Sequence, residues 1–188
     1  MFLVRCPSER EIERFLDDAR ARPLSYGAAG LTHTEGRRGR LDELRAPIGH
    51  GVADFERARS ALAEWKHFDL SWVQLFPRHA SLEIGTNVAV RIHHLGIWSL
   101  NGARIVSRAE DETRFGFAYG TLTNHAEHGE ELFEVRLDPR SGEVTYRIRA
   151  VSWPQAVLAT IGYPFVRRLQ AKFRRDSAAE MQRAAAAG

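Results

Sequence analysis

The chain has 188 residues, of which 44% are hydrophobic and 27% charged, with a formal net charge of +3 at pH 7. That size and balance describe one globular domain that buries about 70% of its unfolded surface; they exclude a disordered chain, and no apolar run approaches the roughly 20 residues that span a bilayer. A single cysteine, Cys6, excludes an intramolecular disulfide and makes a cytoplasmic location the expectation, while a small positive charge carried almost wholly by arginine gives no reason to expect nucleic-acid binding.

In chain order, residues 1–24 are expected to hold an N-terminal helix. "SEREIERFLDDARAR" places Ser8 at the N-cap and Glu11 three residues on, a capping box, with Ile12, Phe15, Leu16 and Ala19 at helical spacing. Pro23 stops this helix. Residues 25–48, rich in glycine and polar groups, read as an irregular extension, a flap over the body, with a short strand in "APIGHGVA". Residues 49–184 form the body and 185–188 an alanine-rich tail. Asp54 caps the next helix, in which Phe55, Ala58, Leu62, Trp65 and Phe68 make one apolar stripe.

From Trp72 the period changes to two. "WVQLF" ends at Pro77, and "NVAVRIHHL" sets Val88, Val90 and Ile92 against Ala89, Arg91 and His93. "ARIVSRAE" follows Asn101–Gly102, which predicts a hairpin turn. "ETRFGFAYGTL" places Phe115, Phe117, Tyr119 and Thr121 on one face, and "EELFEVRLD" does the same for Glu131, Phe133, Val135 and Leu137. After the turn "DPRSGEV", Val144, Tyr146, Ile148 and Ala150 alternate with Thr145, Arg147 and Arg149. This is an antiparallel meander with one buried and one wet face. Pro154 ends it. Val157, Leu158, Ile161, Phe165, Leu169, Phe173 and Met181 then mark one long helix from Gln155, kinked or interrupted by Gly162 and Pro164 near Tyr163.

The predicted fold is therefore α+β: a curved antiparallel sheet of about six to seven strands gripping a long C-terminal helix, the helix-grip or Bet v 1/START-like arrangement. A sheet curved around a helix leaves space between them.

Several stretches in order also resemble a known family. "GHGVADFERARSALAEWKHFDLSWV", "FGFAYGTL", His125, "GEELF", "IRAVSWP" and "IGYPFVRRLQAKFRRDS" are similar to the uncharacterised family called domain of unknown function 1990, over about residues 25 to 184. That resemblance carries no activity with it.

The candidate chemistry lies between Phe115 and Val135. His125 and His128 near Glu130 and Glu131 suggest a metal site, yet there is no H-E-x-x-H and no cysteine cluster, and His93 and His94 point to opposite faces of a strand. No metal and no cofactor is expected. There is no nucleophile elbow and no phosphate-binding glycine motif. Alternation puts Glu131 on the inner face with Tyr119 and turns Glu130 outward. A desolvated Glu131 would have a raised pKa and could move a proton; alternatively it fixes its hairpin through an arginine or a backbone turn. The leading expectation is a binding domain for a small hydrophobic molecule, lined by Tyr119, Phe133, Tyr146 and Ile148 with Phe117 at the base, and with Thr121, Glu131 and His125 as polar contacts. A second is a cofactor-independent enzyme of cyclase or dehydratase type that uses Glu131 or His125 as acid and base. A third is an adaptor that meets an acidic partner through Arg167, Arg168, Lys172, Arg174 and Arg175.

Overall fold

The structure is a computed structural model that describes residues 1–34, 39–154 and 163–187. Its elements are β1 (Phe2–Leu3), α1 (Glu9–Arg20), β2 (Arg40–His50), α2 (Gly51–Ala63), β3 (Val73–Phe76), β4 (Asn87–His94), β5 (Ile97–Asp111), β6 (Arg114–Thr121), β7 (Glu127–Leu137), β8 (Glu143–Pro154) and α3 (Tyr163–Ala186). The strands form one antiparallel sheet in the order β2-β8-β7-β6-β5-β4-β3, with β1 added on β5. The predicted α+β helix-grip architecture is present. The sheet is one short strand larger than expected.

α1 begins as its capping box requires: the Glu11 carboxylate accepts the Ser8 backbone N–H at 2.8 Å. It ends before Pro23. In α2 the predicted stripe is buried, but the helix stops at Ala63 rather than running through Phe68. Trp65 takes a left-handed backbone, φ 62°, and a 3-10 turn, Lys66–Phe68, follows. A bulky residue in that region is strained by about 1–3 kcal/mol. The strain is offset by what the break achieves, since it turns Trp65, His67 and Phe68 together into the sheet's inner face.

Two expectations need correction. Residues 40–50 are not irregular. They form β2, paired along β8 from Arg40↔Ser152 to His50↔Glu143. The inward alternation of Leu44, Ala46 and Ile48 is faint because a small residue and Pro47 interrupt it. The strand is held by cross-strand charge instead, with Arg147 and Arg149 both reaching Glu43 at 3.1 and 3.3 Å. Nor is Asn101–Gly102 a turn. β5 runs straight through it, and the chain reverses at Leu95–Gly96, both at positive φ, where His94 pairs with Ile97. Gly102 serves close packing: a Cβ there would lie 2.3 Å from Asn124 Oδ1. Asn101 is buried and donates to Ser99 Oγ at 3.0 Å.

The expected start of the last helix at Gln155, the stripe residues Val157, Leu158 and Ile161, and the kink at Gly162 lie outside the described residues. From Tyr163 onward α3 lies across the sheet and is fastened to β2 by Arg167 and Arg174, which both pair with Asp42.

The outer face is also drier than a two-sided meander predicts. α1 covers Ala89 and Leu100 with Ile12 and Phe15. Farther along, residues 24–33 form a strap held by one carboxylate. Glu130, only 2% exposed, accepts hydrogen bonds from Tyr26 Oη (2.9 Å), the backbone N–H groups of Gly30 (2.9 Å), Leu31 (3.3 Å) and Thr32 (3.2 Å), and Thr32 Oγ1 (2.6 Å). Burial works against the charge, but these donors outweigh it and hold the carboxyl below its ordinary pKa. Removing the acceptor would leave several buried donors unpaired. Glu130→Ala is expected to cost about 3 kcal/mol in urea unfolding and to open residues 24–34 to proteases, with Glu130→Gln intermediate. Wild-type resistance in Glu130→Ala would refute the strap's dependence on this side chain.

Candidate functional site

β6, β7 and β8 place their inward side chains by simple alternation. Phe117 stands opposite Phe133, and Phe133 opposite Ile148; Tyr119 stands opposite Glu131, and Val135 opposite Tyr146. Phe117, Phe133, Tyr146 and Ile148 are fully buried. The break after α2 packs Trp65 against Phe117 with ring centroids 4.7 Å apart, and His67 against Phe133 at 4.6 Å. α3 closes the stack with Phe173, 5.0 Å from Phe68 and 6.4 Å from Phe133. Tyr146 reaches α3 directly, its hydroxyl 2.9 Å from Ser177 Oγ. Rings therefore fill much of the space that the sequence leaves open between sheet and helix. A cleft of about 580 Å³ lies elsewhere, on the flank of α2 between Arg59, Arg108 and Phe115, and none of the expected lining residues borders it.

The apolar wall ends in polar groups on the side where α3 starts. Tyr119 Oη donates to Glu131 at 2.8 Å on the inner face. Burial pushes the Glu131 carboxyl up to about 7, against the lowering effects of the Tyr119 hydrogen bond and of Arg174. Burial and then the Glu131 charge likewise raise Tyr119 well above its ordinary value. Two inward positions farther along β7, past Gly129, Glu127 accepts from Gln170 of α3 at 2.6 Å, and burial raises its carboxyl too. Glu131 thus sits among groups that disfavour its charge, with a tyrosine hydroxyl as its direct partner. It retains some contact with solvent.

Two of the expected polar contacts are tied up locally. The Thr121 hydroxyl accepts the Gly129 N–H at 2.8 Å and lies 2.6 Å from Ser25 Oγ, which joins the strap to the β6–β7 turn. His125 is folded onto its own loop: its Nδ1 accepts the Glu127 N–H at 3.0 Å, and burial lowers its pKa to about 3. His128 lies against Trp153, 5.9 Å between centroids, and His93 stacks on Trp98 at 4.0 Å. Among the described residues no group of three or more metal-ligating side chains converges. On α3, Arg167 and Arg174 pair with Asp42 and Lys172 with Asp176, so the basic cluster expected to face a partner is largely engaged within the chain. Arg168 and Arg175 are exposed.

One residue at the site was not legible. His67 lies between stripe positions Trp65 and Phe68, off the helical face, and only the left-handed turn at Trp65 brings it inward. It is 0% exposed, and neither ring nitrogen has a hydrogen-bond partner among the described residues.

An open antiparallel sheet wrapped on a long C-terminal helix, with an inner wall of rings that ends in a buried carboxyl, defines a Bet v 1/START-like helix-grip protein. Solved structures agree at the level of the fold. The di-domain ARO/CYC StfQ from the steffimycin biosynthetic pathway is matched with a TM-score of 0.53 at 9% identity, covering 77% of this chain and 50% of that one. Human STARD10 is matched with a TM-score of 0.51 at 10% identity, covering 96% and 80%. The sequence match is more specific: the profile of the family described as Domain of unknown function (DUF1990) fits residues 25–180, and the chain belongs to that family. A UPF0548 protein of Dictyostelium discoideum is 31% identical over 206 residues, covering 98% of this chain and 95% of the relative. Among the described residues, no helix is long and apolar enough to cross a membrane.

The Glu131 carboxyl has an ordinary pKa of 4.5 and one of about 7 in the fold. Between these values the folded protein keeps a proton that the unfolded chain has released. Its contribution to stability is therefore complete below the ordinary value and is lost as pH rises through 7. Glu131→Gln, which cannot ionise, is expected to remove this loss and to be more stable than wild type at pH 8 but not at pH 4. Melting temperatures of both proteins across that range provide the check, and parallel curves would contradict the raised pKa.

Proposed function

We propose that the protein binds a small, largely apolar molecule between the sheet and α3, with a polar group of that molecule at Glu131 and Tyr119. The observation that carries this reading is the Tyr119–Glu131 hydrogen bond at the edge of an aromatic wall. A carboxyl in that position stabilises the fold poorly at neutral pH, whereas a ligand group that satisfies it gains a strong, oriented contact. Phe133, Tyr146 and Ile148 form the wall and Phe117 the base. Phe173 is the ring the ligand displaces, because it belongs to the helix and covers Phe68 and Phe133. Thr121 and His125 act at the rim by holding the β6–β7 turn in shape. The single cysteine fits work in the cytoplasm.

A second reading, a cofactor-independent enzyme, is favoured by the setting of the Glu131 carboxyl, which Tyr119 holds at 2.8 Å and burial pushes up to about 7, where an acid–base group works best at neutral pH. In that case Glu131 is the proton carrier and Tyr119 orients it. Of the two acid–base candidates His125 is the poorer, because its ring is bonded to its own loop.

Native mass spectrometry of the purified protein, with solvent extraction of whatever it carries, tests the binding reading. Phe173→Ala is expected to lower stability by about 2 kcal/mol, less than for a fully buried ring, while raising the affinity for apolar probes in thermal-shift titrations. No bound molecule, and no shift with any probe in either protein, would sink it. Turnover that disappears in Glu131→Gln while affinity survives would establish the enzymatic reading instead.

A further inference from the structure

Among the described residues, His67 is the one polar side chain in the ring stack without a hydrogen-bond partner. Its imidazole lies between Trp65 (centroids 5.5 Å apart, stacked), Phe68 (4.8 Å), Phe133 (4.6 Å) and Phe117 (5.9 Å), and both nitrogens are buried without a donor or acceptor in reach. An unsatisfied buried polar group costs about 1–3 kcal/mol. A phenylalanine or leucine would fill the same volume without that cost. The ring also lies on the inner face, against the Phe133 ring that touches Tyr119 at 5.4 Å, so it shares a wall with the Tyr119–Glu131 pair.

We infer that His67 is a second polar contact for the bound molecule, which therefore carries an uncharged hydrogen-bonding group, such as a hydroxyl, phenol or carbonyl, on the part that enters the aromatic stack. This inference rests on the binding reading above and adds the chemistry of the ligand to it. Burial lowers the His67 pKa to about 3, so the ring is neutral at pH 7. A neutral imidazole donates from one nitrogen and accepts at the other, and suits a neutral partner. A carboxylate or phosphate there would be a buried charge with no counter-charge. The ligand class is thus an apolar body with two separated polar points, one at Glu131 and Tyr119 and one at His67.

The test uses two probes that differ by one hydroxyl, 2-naphthol and naphthalene, titrated into the full chain and into His67→Phe. Wild type is expected to prefer 2-naphthol by roughly tenfold, the worth of one buried hydrogen bond. His67→Phe should bind naphthalene at least as well and lose the preference, and its melting temperature should rise. In wild type, the His67 ring nitrogens should shift in 15N spectra with 2-naphthol and stay in place with naphthalene. If His67→Phe does not fold, His67→Leu takes its place. A preference that is the same in wild type and variant would overturn the assignment of His67 and leave the binding reading intact, since the hydroxyl would then be read at Glu131. If neither probe binds wild type, both readings fall.

Discussion

The structure depends on one backbone event: the chain leaves α2 through a left-handed residue, Trp65. A continuing helix would carry His67 to the flank, away from the inner face that α2 and α3 cover together. Because the turn is taken, Trp65 packs on Phe117 and His67 on Phe133 and Tyr146, while α3 meets Phe133 through Phe173 and Tyr146 through Ser177. The Trp65 indole is itself fixed, with Nε1 donating to Ala80 O at 2.9 Å. The position of α3 and the burial of Tyr119 both follow from how well this stack is filled.

The polar groups are distributed with similar consistency. Every carboxylate that keeps its charge in a buried place has donors gathered around it. Glu130 has the strap, and Glu134 has Arg114, Arg136 and Arg147. Glu131 differs in facing rings and one hydroxyl. It is this contrast between neighbouring carboxyls on one strand, rather than the presence of acidic residues as such, on which the proposed binding site rests.

Much of this was legible in the sequence. The period-two alternation of β6, β7 and β8 fixed which residues share the inner face, and it separated Glu131 from Glu130 correctly. The α2 stripe was readable as far as its burial, and the order of elements gave the helix-grip fold. What failed did so for local reasons. β2 is an edge strand whose core-facing alternation is broken by Pro47 and a shift of register before Gly49, so its pattern resembles a loop. Asn101–Gly102 has the composition of a turn, but Leu95–Gly96 takes the reversal and Gly102 makes room for Asn124. His67 could not be found, because its direction depends on the backbone of its neighbour but one. The strap could not be found either: Tyr26 and Thr32 lie about a hundred positions from Glu130 in the chain, and nothing local links them to it.

The acidic residues of β7 have a consequence for how the sheet finds its alignment. A shift of β7 by one residue would exchange the faces of Glu130 and Glu131. The two side chains are identical, so the exchange itself costs little; the larger penalty falls on Glu134, which a shift in either direction would turn away from Arg114 and Arg147 into the ring stack as Phe133 left it. Alternation of apolar residues alone discriminates weakly here, because Ala118, Leu122 and Leu132 make the outer face nearly as buried as the inner one. Glu134, rather than the Glu130–Glu131 pair, therefore opposes mispairing of β7 with β6 and β8, because the arginines that hold its charge lie on one face only.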